Sequence, residues 1–251
     1  MKRVLAGLVL LAVVLMSGAA MAQVPGLDQL VPQGEGTATG RIIQLILVIT
    51  VLSVAPGLLV MVTCFTRFII ALSFLRAGIG LQTTPANLIL ISLALFMTFY
   101  VMGPTFDQAW NNGLKPLVEN RITEEQAFQQ ITEPFKTFMR SNVREKDLAL
   151  FEEMAGRTGN RTPGQTVARE DIELRILIPA FMISELRRGF EIGFLIILPF
   201  LVIDMIVATL TMSMGMMMLP PTVISLPFKV LFFVLIDGWN LLVGGLMRSF
   251  F

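Results

Sequence analysis

Apolar residues along the chain fall into two pairs of long segments, with one polar stretch between the pairs. The first pair covers residues 42–62 and 88–103, and the second covers residues 192–219 and 223–247. A helix needs about 20 predominantly apolar residues to cross a bilayer, and these segments are of that order. The pattern therefore predicts an all-α membrane protein of about four hydrophobic segments with a helical polar region in its middle.

Prolines and ionisable residues fall inside these apolar segments. A proline removes one backbone donor and clashes with the preceding turn, so Pro56 should kink the first segment. An ionisable side chain at a bilayer centre costs about 2.5–3.5 kcal/mol on insertion scales, so each one needs a partner or an aqueous cavity. The later interruptions are Pro199 and Asp204 in the third segment, and Pro227, Lys229 and Asp237 in the fourth. These helices are not expected to face lipid on all sides.

The polar stretch, residues 104–190, carries 12 Lys and Arg against 13 Asp and Glu, a net charge of −1. It is predicted to be largely helical, because Thr123 is a good N-cap that is followed by two glutamates and by apolar residues at helical spacing. Pro134 should bend or break that helix. The linker between the first two apolar segments holds Arg67 and Arg76 and no acid. By the positive-inside rule the linker is cytoplasmic, which places the polar stretch on the exterior side.

The first residues have the pattern of a secretory signal peptide. Lys2 and Arg3 precede an apolar stretch, and Ala20-Met21-Ala22 is a small-x-small cleavage sequence. We predict cleavage after Ala22; the alternative is an uncleaved first anchor, for which the apolar stretch is short. The chain then divides into a signal peptide (1–22), a flexible exterior leader (23–40), a first hydrophobic helical pair (41–103), a polar helical periplasmic region (104–190) and a second hydrophobic helical pair with a Met-rich tip (191–251).

The composition supports a membrane protein and removes several classes of chemistry. Hydrophobic residues make up 55% of the chain and charged residues 15%. The absence of histidine excludes imidazole bases and nearly all His-ligated metal sites, and the single Cys64 cannot form an intrachain disulfide. There is no phosphate-binding loop sequence, and the net charge of +1 comes without a basic tract, so no nucleic acid partner is expected. We therefore predict a non-enzymatic protein without cofactor or metal; an intramembrane enzyme would lack a base, a metal set and a nucleophile pair.

Methionines are concentrated just before the last apolar segment. Six of the 16 Met lie within residues 205–218, where the sequence SMGMMMLPP ends on two prolines. Successive residues on a helix point about 100° apart, so Met216, Met217 and Met218 cannot share one packed stripe. They can form a soft knob at a hairpin tip, where flexible thioether side chains would seal a constriction and rearrange around a passing peptide. From the residues alone, however, a Met-rich membrane core is the favoured interpretation.

Three ionisable residues in the second half of the chain are candidate functional residues. Lys229 lies in an apolar run, so its ammonium must pair, reach water or lose its proton. Its predicted partner is Glu185, across a subunit boundary. Alternatively, Lys229 reaches interfacial water and Glu185 is a solvated neighbour of Arg187 and Arg188. Asp204 is either a proton-relay carboxylate or, as we favour, a capped or water-bridged group that fixes helix packing.

Long sequence motifs link this chain to a known family. PAFMISELRRGFEIGF, from Pro179, and PFKVLFFVLIDGWNLL, from Pro227, together with SMGMMMLPP, resemble the FliP family of flagellar biosynthesis proteins, relatives of the R subunit (SctR) of virulence-type secretion systems. The resemblance covers nearly the whole mature chain. It implies a core subunit of the flagellar type III export gate, through which unfolded flagellar proteins leave the cytoplasm. Segments that look like spans would then be kinked helical hairpins buried against sister subunits.

The resemblance also implies partners and a location. Family members are similar in forming an assembly of about five copies with four FliQ and one FliR subunits, alongside other export apparatus proteins, in the flagellar basal body at the bacterial inner membrane. The matching methionines, Met216 to Met218, would form a gasket, the polar region would face the periplasm, and membrane lipid would surround the assembly. The competing hypothesis is a secondary transporter that uses Asp204 and Lys229 between broken helices.

Overall fold

The structure, a computed structural model, describes residues 60–157, 172–215 and 220–250, together with residues 43, 46, 49, 50, 53, 54 and 57. The chain divides into two compact units, Met1–Pro56 and Gly57–Phe251. In the first unit the described residues are helical, and the hydroxyls of Thr50 and Ser53 each donate to the carbonyl four residues earlier at 2.7 Å. These bonds satisfy two hydroxyls within an apolar helix. The predicted signal peptide and leader lie outside the described residues.

The second unit is built from helices throughout its described part, which confirms the predicted all-α fold class. The helices are α1 (Phe65–Ile79), α2 (Asn87–Ala109), a π-helical turn (Trp110–Leu114), α3 (Lys115–Val118), α4 (Glu124–Asn142), α5 (Glu145–Arg157), α6 (Leu174–Ser213), α7 (Pro221–Leu235) and α8 (Gly238–Arg248).

Within the described residues, two stretches of helix are long and apolar enough to cross a membrane: Asn87–Val118, which joins α2 to α3, and α6. A third arises if α7 and α8, which meet at 64°, form one bent span. The polar helices α4 and α5 lie between these apolar stretches in sequence, as the hydrophobic pattern predicts. Most of the first apolar segment, residues 42–62, lies outside the described part.

Helix boundaries follow local chemistry at several points. The predicted N-cap of α4 is confirmed: the Gln126 amide donates to Thr123 Oγ1 at 3.4 Å, and the Thr123 amide donates to Gln126 Oε1 at 3.2 Å. Helix α1 ends at Gly80, whose φ of 90° is a left-handed conformation that glycine adopts without strain. Between α7 and α8, Asp237 also has a left-handed conformation, with a φ of 51°, and α8 begins at the next residue.

Prolines are accommodated inside helices more often than their effect on an isolated helix suggests. Pro134 lies within α4, which continues to Asn142, so the proline does not break that helix. Pro179 and Pro199 both lie within α6, which runs through 40 residues, and Pro227 lies within α7. A proline removes one hydrogen bond, and packing along the rest of a long apolar helix can offset that loss.

Helices α1 and α6 run in parallel and approach closely at small residues. Ile70 faces Gly189, where an added Cβ would lie 3.1 Å from the isoleucine Cβ. One turn further, Phe74 fills the space above Gly193, at 2.5 Å from the position of a Cβ. The larger core surrounds α1 and includes α2, α6, α7 and α8, whereas α4, α5 and the start of α6 form a second core around Met139 and Phe181.

Helices α2 and α6 cross from the apolar into the polar parts of the sequence. Helix α2 continues beyond residue 103 to Ala109, and α6 continues from the polar region through residue 190 without a break. A single helix therefore belongs to both cores, and it carries polar residues from one core to the edge of the other.

Candidate functional site

A fully buried ion pair joins α1 to α6. Arg67 is 1% exposed and Glu185 is 0% exposed. Arg67 Nε donates to Glu185 Oε2 at 2.8 Å, and Nη2 donates to Oε1, so the contact is bidentate. The planar guanidinium matches the carboxylate in this geometry, which makes it a strong charge-assisted contact.

Residues that follow α8 cover this ion pair. Arg67 Nη1 donates to the Ser249 carbonyl at 3.1 Å and to Ser249 Oγ at 3.0 Å. The Phe250 ring lies over the guanidinium, with Cζ 3.6 Å from the ring centroid, and contacts the rings of Phe68 and Phe138. The guanidinium therefore has hydrogen-bond acceptors on two sides and an aromatic face on a third.

The buried ion pair differs from what the sequence suggested. Arg67 was assigned to a cytoplasmic linker, but it lies inside α1 and is buried, so it is not a loop charge of the kind that the positive-inside rule counts. The signal that could have identified it is its place in the apolar run from Phe65 to Leu75 without any acid nearby in sequence. An arginine in such a run needs a distant carboxylate.

A second polar cluster joins α6, α7 and the end of α1. Lys229 Nζ lies 2.5 Å from Asp204 Oδ2 and donates to the Gly78 carbonyl at 3.1 Å. Ser225 Oγ donates to Asp204 Oδ1 at 2.5 Å. Lys229 is 4% exposed, whereas the Asp204 side chain is 29% exposed. The ammonium thus bridges a carboxylate on α6 and a carbonyl in the last turn of α1, where positive charge is favoured.

The structure does not bring the predicted partners Glu185 and Lys229 together within one chain. Each has another partner: Glu185 binds Arg67, and Lys229 binds Asp204. A pair across a subunit boundary involves two chains and stays a prediction. For Asp204, contacts with Lys229 and Ser225 support the hypothesis that its carboxylate fixes helix packing.

A third polar cluster, which the sequence did not reveal, ties α5 to α6 next to Glu185. The Arg144 amide donates to Ser184 Oγ at 3.1 Å, and Ser184 Oγ donates to Asp147 Oδ2 at 2.7 Å. Both Ser184 and Asp147 are buried. Because Ser184 and Glu185 are adjacent, one turn of α6 anchors both the polar helices and α1.

Beyond Asp204 and Ser225, the α6–α7 hairpin ends in an apolar tip, which we define as the described residues 205–215 and 220–224. Its large side chains are mostly exposed; Met205, for example, is 71% exposed. An open groove of about 480 Å³ lies between the two arms of the hairpin and is lined by residues such as Val207, Met214 and Phe228. Met216, Met217 and Met218 lie outside the described residues, between Gly215 and Pro220.

The described residues offer little for metal or thiol chemistry. Among them no group of three or more His, Cys, Asp or Glu could hold a metal ion. Cys64 is buried, and burial raises the pKa of its thiol to about 12, so it is a poor nucleophile near neutral pH. The side chains of the described polar clusters bind one another and hold helices together.

Comparison with known proteins places the chain in a family. Residues 48–246 match the FliP family. The chain is 61% identical over 245 residues to the flagellar biosynthetic protein FliP of Agrobacterium fabrum, covering 97% of this chain and 98% of that protein. It is 61% identical over 242 residues to FliP of Rhizobium meliloti, covering 96% and 97%. With FliP of Bacillus subtilis it shares 50% identity over 208 residues, covering 83% and 91%. The chain therefore belongs to the FliP family.

Proposed function

We propose that this chain is a core pore-forming subunit of the flagellar type III export gate, and that it conducts unfolded flagellar proteins without catalysing a reaction. Its membership of the FliP family carries this proposal. The location that follows is the bacterial inner membrane within the flagellar basal body, with residues 104–190 facing the periplasm and the signal peptide removed after Ala22.

The exposed apolar surface supports a subunit that works in an assembly. Large hydrophobic side chains are exposed along α2, α6 and α7; Phe96 on α2 is 80% exposed. Soluble monomers rarely present apolar patches of this extent, so lipid or other protein chains must cover them. We propose that about five copies of this chain assemble with FliQ and FliR subunits and other export apparatus proteins, and that lipid covers the remaining surface.

We further propose that Met216, Met217 and Met218 form the gasket of this gate. In sequence they join the two arms of the apolar tip, whose described side chains are already largely exposed. A thioether side chain is unbranched and apolar, so a ring of such side chains can exclude ions and then rearrange around a polypeptide. A ring of β-branched side chains would be stiffer.

The pairing of Glu185 with Lys229 across a subunit boundary remains part of this proposal. Because each residue has a partner within its own chain, the exchange would require Arg67 and Asp204 to find other contacts. Replacing Lys229 by alanine tests the idea at the level of assembly: oligomer formation and secretion should fail. A complex of normal size from that variant would exclude an essential intersubunit pair.

The decisive experiment for the gasket replaces Met216, Met217 and Met218 by alanine in cells that co-express the partner subunits. The complex should assemble as before, and ions should leak through the closed gate, because alanine is too short to fill the constriction. The control is Met154→Ala, on α5 in the polar region, which should not leak. Unchanged conductance in the triple variant would exclude the gasket, whereas transport of a small solute by the isolated chain would favour a secondary transporter.

A further inference from the structure

Among the described residues, a polar cluster attaches the base of the apolar tip to the rest of the molecule. Helix α1 ends at Ile79, and its last turn packs on α6 where Gly78 faces Phe200. Directly beyond this contact, Lys229 joins the Gly78 carbonyl to Asp204, and Ser225 holds the other oxygen of the same carboxylate. The three helices therefore share one cluster at the level where α1 ends.

Beyond this cluster the hairpin is loosely packed. An open groove of about 480 Å³ begins at Ile203 and Phe232, on the body side, and extends to Met214. Its lining is partly exposed, so the two arms are not close-packed along it and have room to move. Other residues of the tip, such as Met205 and Val223, are exposed and add little packing of their own.

We propose that Lys229 is a lock at the base of the apolar tip. Its ammonium lies on α7, and it joins the other arm of the hairpin through Asp204 on α6 and the end of α1 through the Gly78 carbonyl. Lys229 is buried, so losing either oxygen leaves its charge without part of its compensation. Movement of the two arms relative to each other or to α1 thus requires Lys229 to leave Asp204 or the Gly78 carbonyl, while the packing of Ile70 and Phe74 on α6 stays intact.

This inference deepens the proposed function and rests on it for one consequence only. If the tip closes an export gate, the lock sets the position of the tip while Lys229 keeps its own Asp204, and the exchange of Lys229 to Glu185 of a neighbouring copy, proposed above, would release it. The lock itself is a property of the single chain. It can therefore be measured without reference to export.

The test compares hydrogen exchange in the full chain, purified in detergent, with exchange in a variant without the lock. Removing one charge alone would strand the other and destabilise the fold, so the variant is Asp204→Asn with Lys229→Met, which keeps the volumes and removes both charges. Peptides from the tip, residues 205–213 and 221–224, should exchange about tenfold faster or more, because local opening loses its main restraint. Peptides from α1 should keep their rates.

A matched control removes a second ion pair from α6. Arg187 and Glu191 lie one turn apart on the same helix, with Nε 2.7 Å from Oε1, and do not link α6 to another element through this contact. Arg187→Met with Glu191→Gln should leave exchange in the tip unchanged. If the Asp204 and Lys229 double variant exchanges at the rate of the unmodified chain, the lock does not exist, whatever the control shows.

The ion conductance of the assembled complex, measured with the same double variant, distinguishes the proposed lock from the proposed closure of the gate by the tip. Faster exchange together with an ion leak supports both proposals. Faster exchange without a leak supports the lock and contradicts closure of the gate by the tip. Unchanged exchange overturns the lock even if the variant leaks.

Discussion

Arg67 and Glu185 show how costly a single polar contact is in this chain. Both groups are excluded from water, and each satisfies the other through two hydrogen bonds. Replacing both charged residues by apolar residues of similar volume often leaves the free energy of unfolding unchanged. Replacing only one leaves an uncompensated charge in the interior. The pair therefore contributes more to a unique arrangement of α1, α6 and the residues after α8 than to net stability.

We predict that Glu185→Gln or Arg67→Met destabilises the purified chain strongly, by about 3–5 kcal/mol for loss of one buried partner. The double variant Arg67→Met with Glu185→Met should recover most of that loss. Thermal unfolding in detergent, monitored as the loss of folded chain, measures the stability of the single and double variants. The exposed pair of Arg121 and Glu119 is the control, because Arg121→Met should cost less than about 1 kcal/mol. Equal losses of stability at the two sites would contradict the burial of the Arg67–Glu185 pair.

A second prediction concerns Cys64, whose thiol has a pKa raised to about 12 by burial. At pH 8 only about one thiol in ten thousand is then ionised, and the thiolate is the reactive form. The folded chain should not react with a maleimide at pH 8, and it should react once unfolded in detergent and urea, as mass measurement would show. A cysteine placed at the exposed Val118 should react at once. Rapid modification of Cys64 in the folded chain would contradict its burial.

Sequence reasoning identified Lys229 as a residue that needs a partner, but not which partner it has, and it did not identify Arg67. An ammonium at Lys229 in an apolar run must be satisfied, and this requirement is local. Whether Asp204 or Glu185 satisfies it depends on the register of the α6–α7 hairpin, which hydrophobic pattern alone does not determine. Arg67 and Glu185 are 118 residues apart in sequence, so their contact depends on the parallel packing of α1 on α6.

At the scale of the helices, predictions from local chemistry succeeded where the signal was local. The start of α4 was readable because an N-cap and its partner lie three residues apart. The effect of proline is harder to predict. Pro134 is expected to bend or break α4, but α4 continues to Asn142, and α6 continues through Pro179 and Pro199. The outcome at a proline depends on tertiary packing that compensates one lost hydrogen bond, and no short window contains that information.

The cap of α4 gives a third prediction. Thr123→Ala should destabilise the polar region by about 1 kcal/mol, because the amide of Gln126 loses its acceptor. Thr132→Ala in the middle of the same helix is the matched control, since its hydroxyl bonds back to the Phe128 and Gln129 carbonyls of its own helix and caps no free amide. Hydrogen exchange of the first turn of α4 measures the difference. Comparable exchange in the two variants would mean that the cap contributes nothing.

The close approach of α1 and α6 gives a fourth prediction. Gly193→Ala places a Cβ 2.5 Å from Phe74 Cγ, so the ring or the helix must shift. Overpacking of this kind costs about 1–3 kcal/mol. Gly244→Ala in α8 meets nothing within 4 Å and should instead stabilise, by up to about 1 kcal/mol from helix propensity. Thermal unfolding of the two variants should move in opposite directions, and a shift of the same sign would contradict the helix contact.

At the scale of the whole chain, the arrangement of polar and apolar surface is the main functional feature. The polar clusters are buried where helices meet, whereas much of the apolar surface of α2, α6 and α7 is exposed. A chain that faced only lipid would satisfy this pattern, and so would a subunit surrounded by other subunits. Hydrophobic pattern cannot separate the two cases, because lipid tails and apolar side chains are equally good neighbours for a leucine.

The reactivity of an introduced cysteine distinguishes a surface that faces lipid from one that other subunits cover. The test replaces Phe96, on the most exposed part of α2, by cysteine. We predict that this cysteine reacts readily with a small maleimide in the isolated chain in detergent. In the proposed complex with FliQ and FliR subunits it should be protected, because protein then covers α2. A cysteine replacing Glu133, in the polar region, should react equally in both states, and the buried Cys64 adds no background. Equal reaction at position 96 in both states would mean that no other protein chain covers this face of α2.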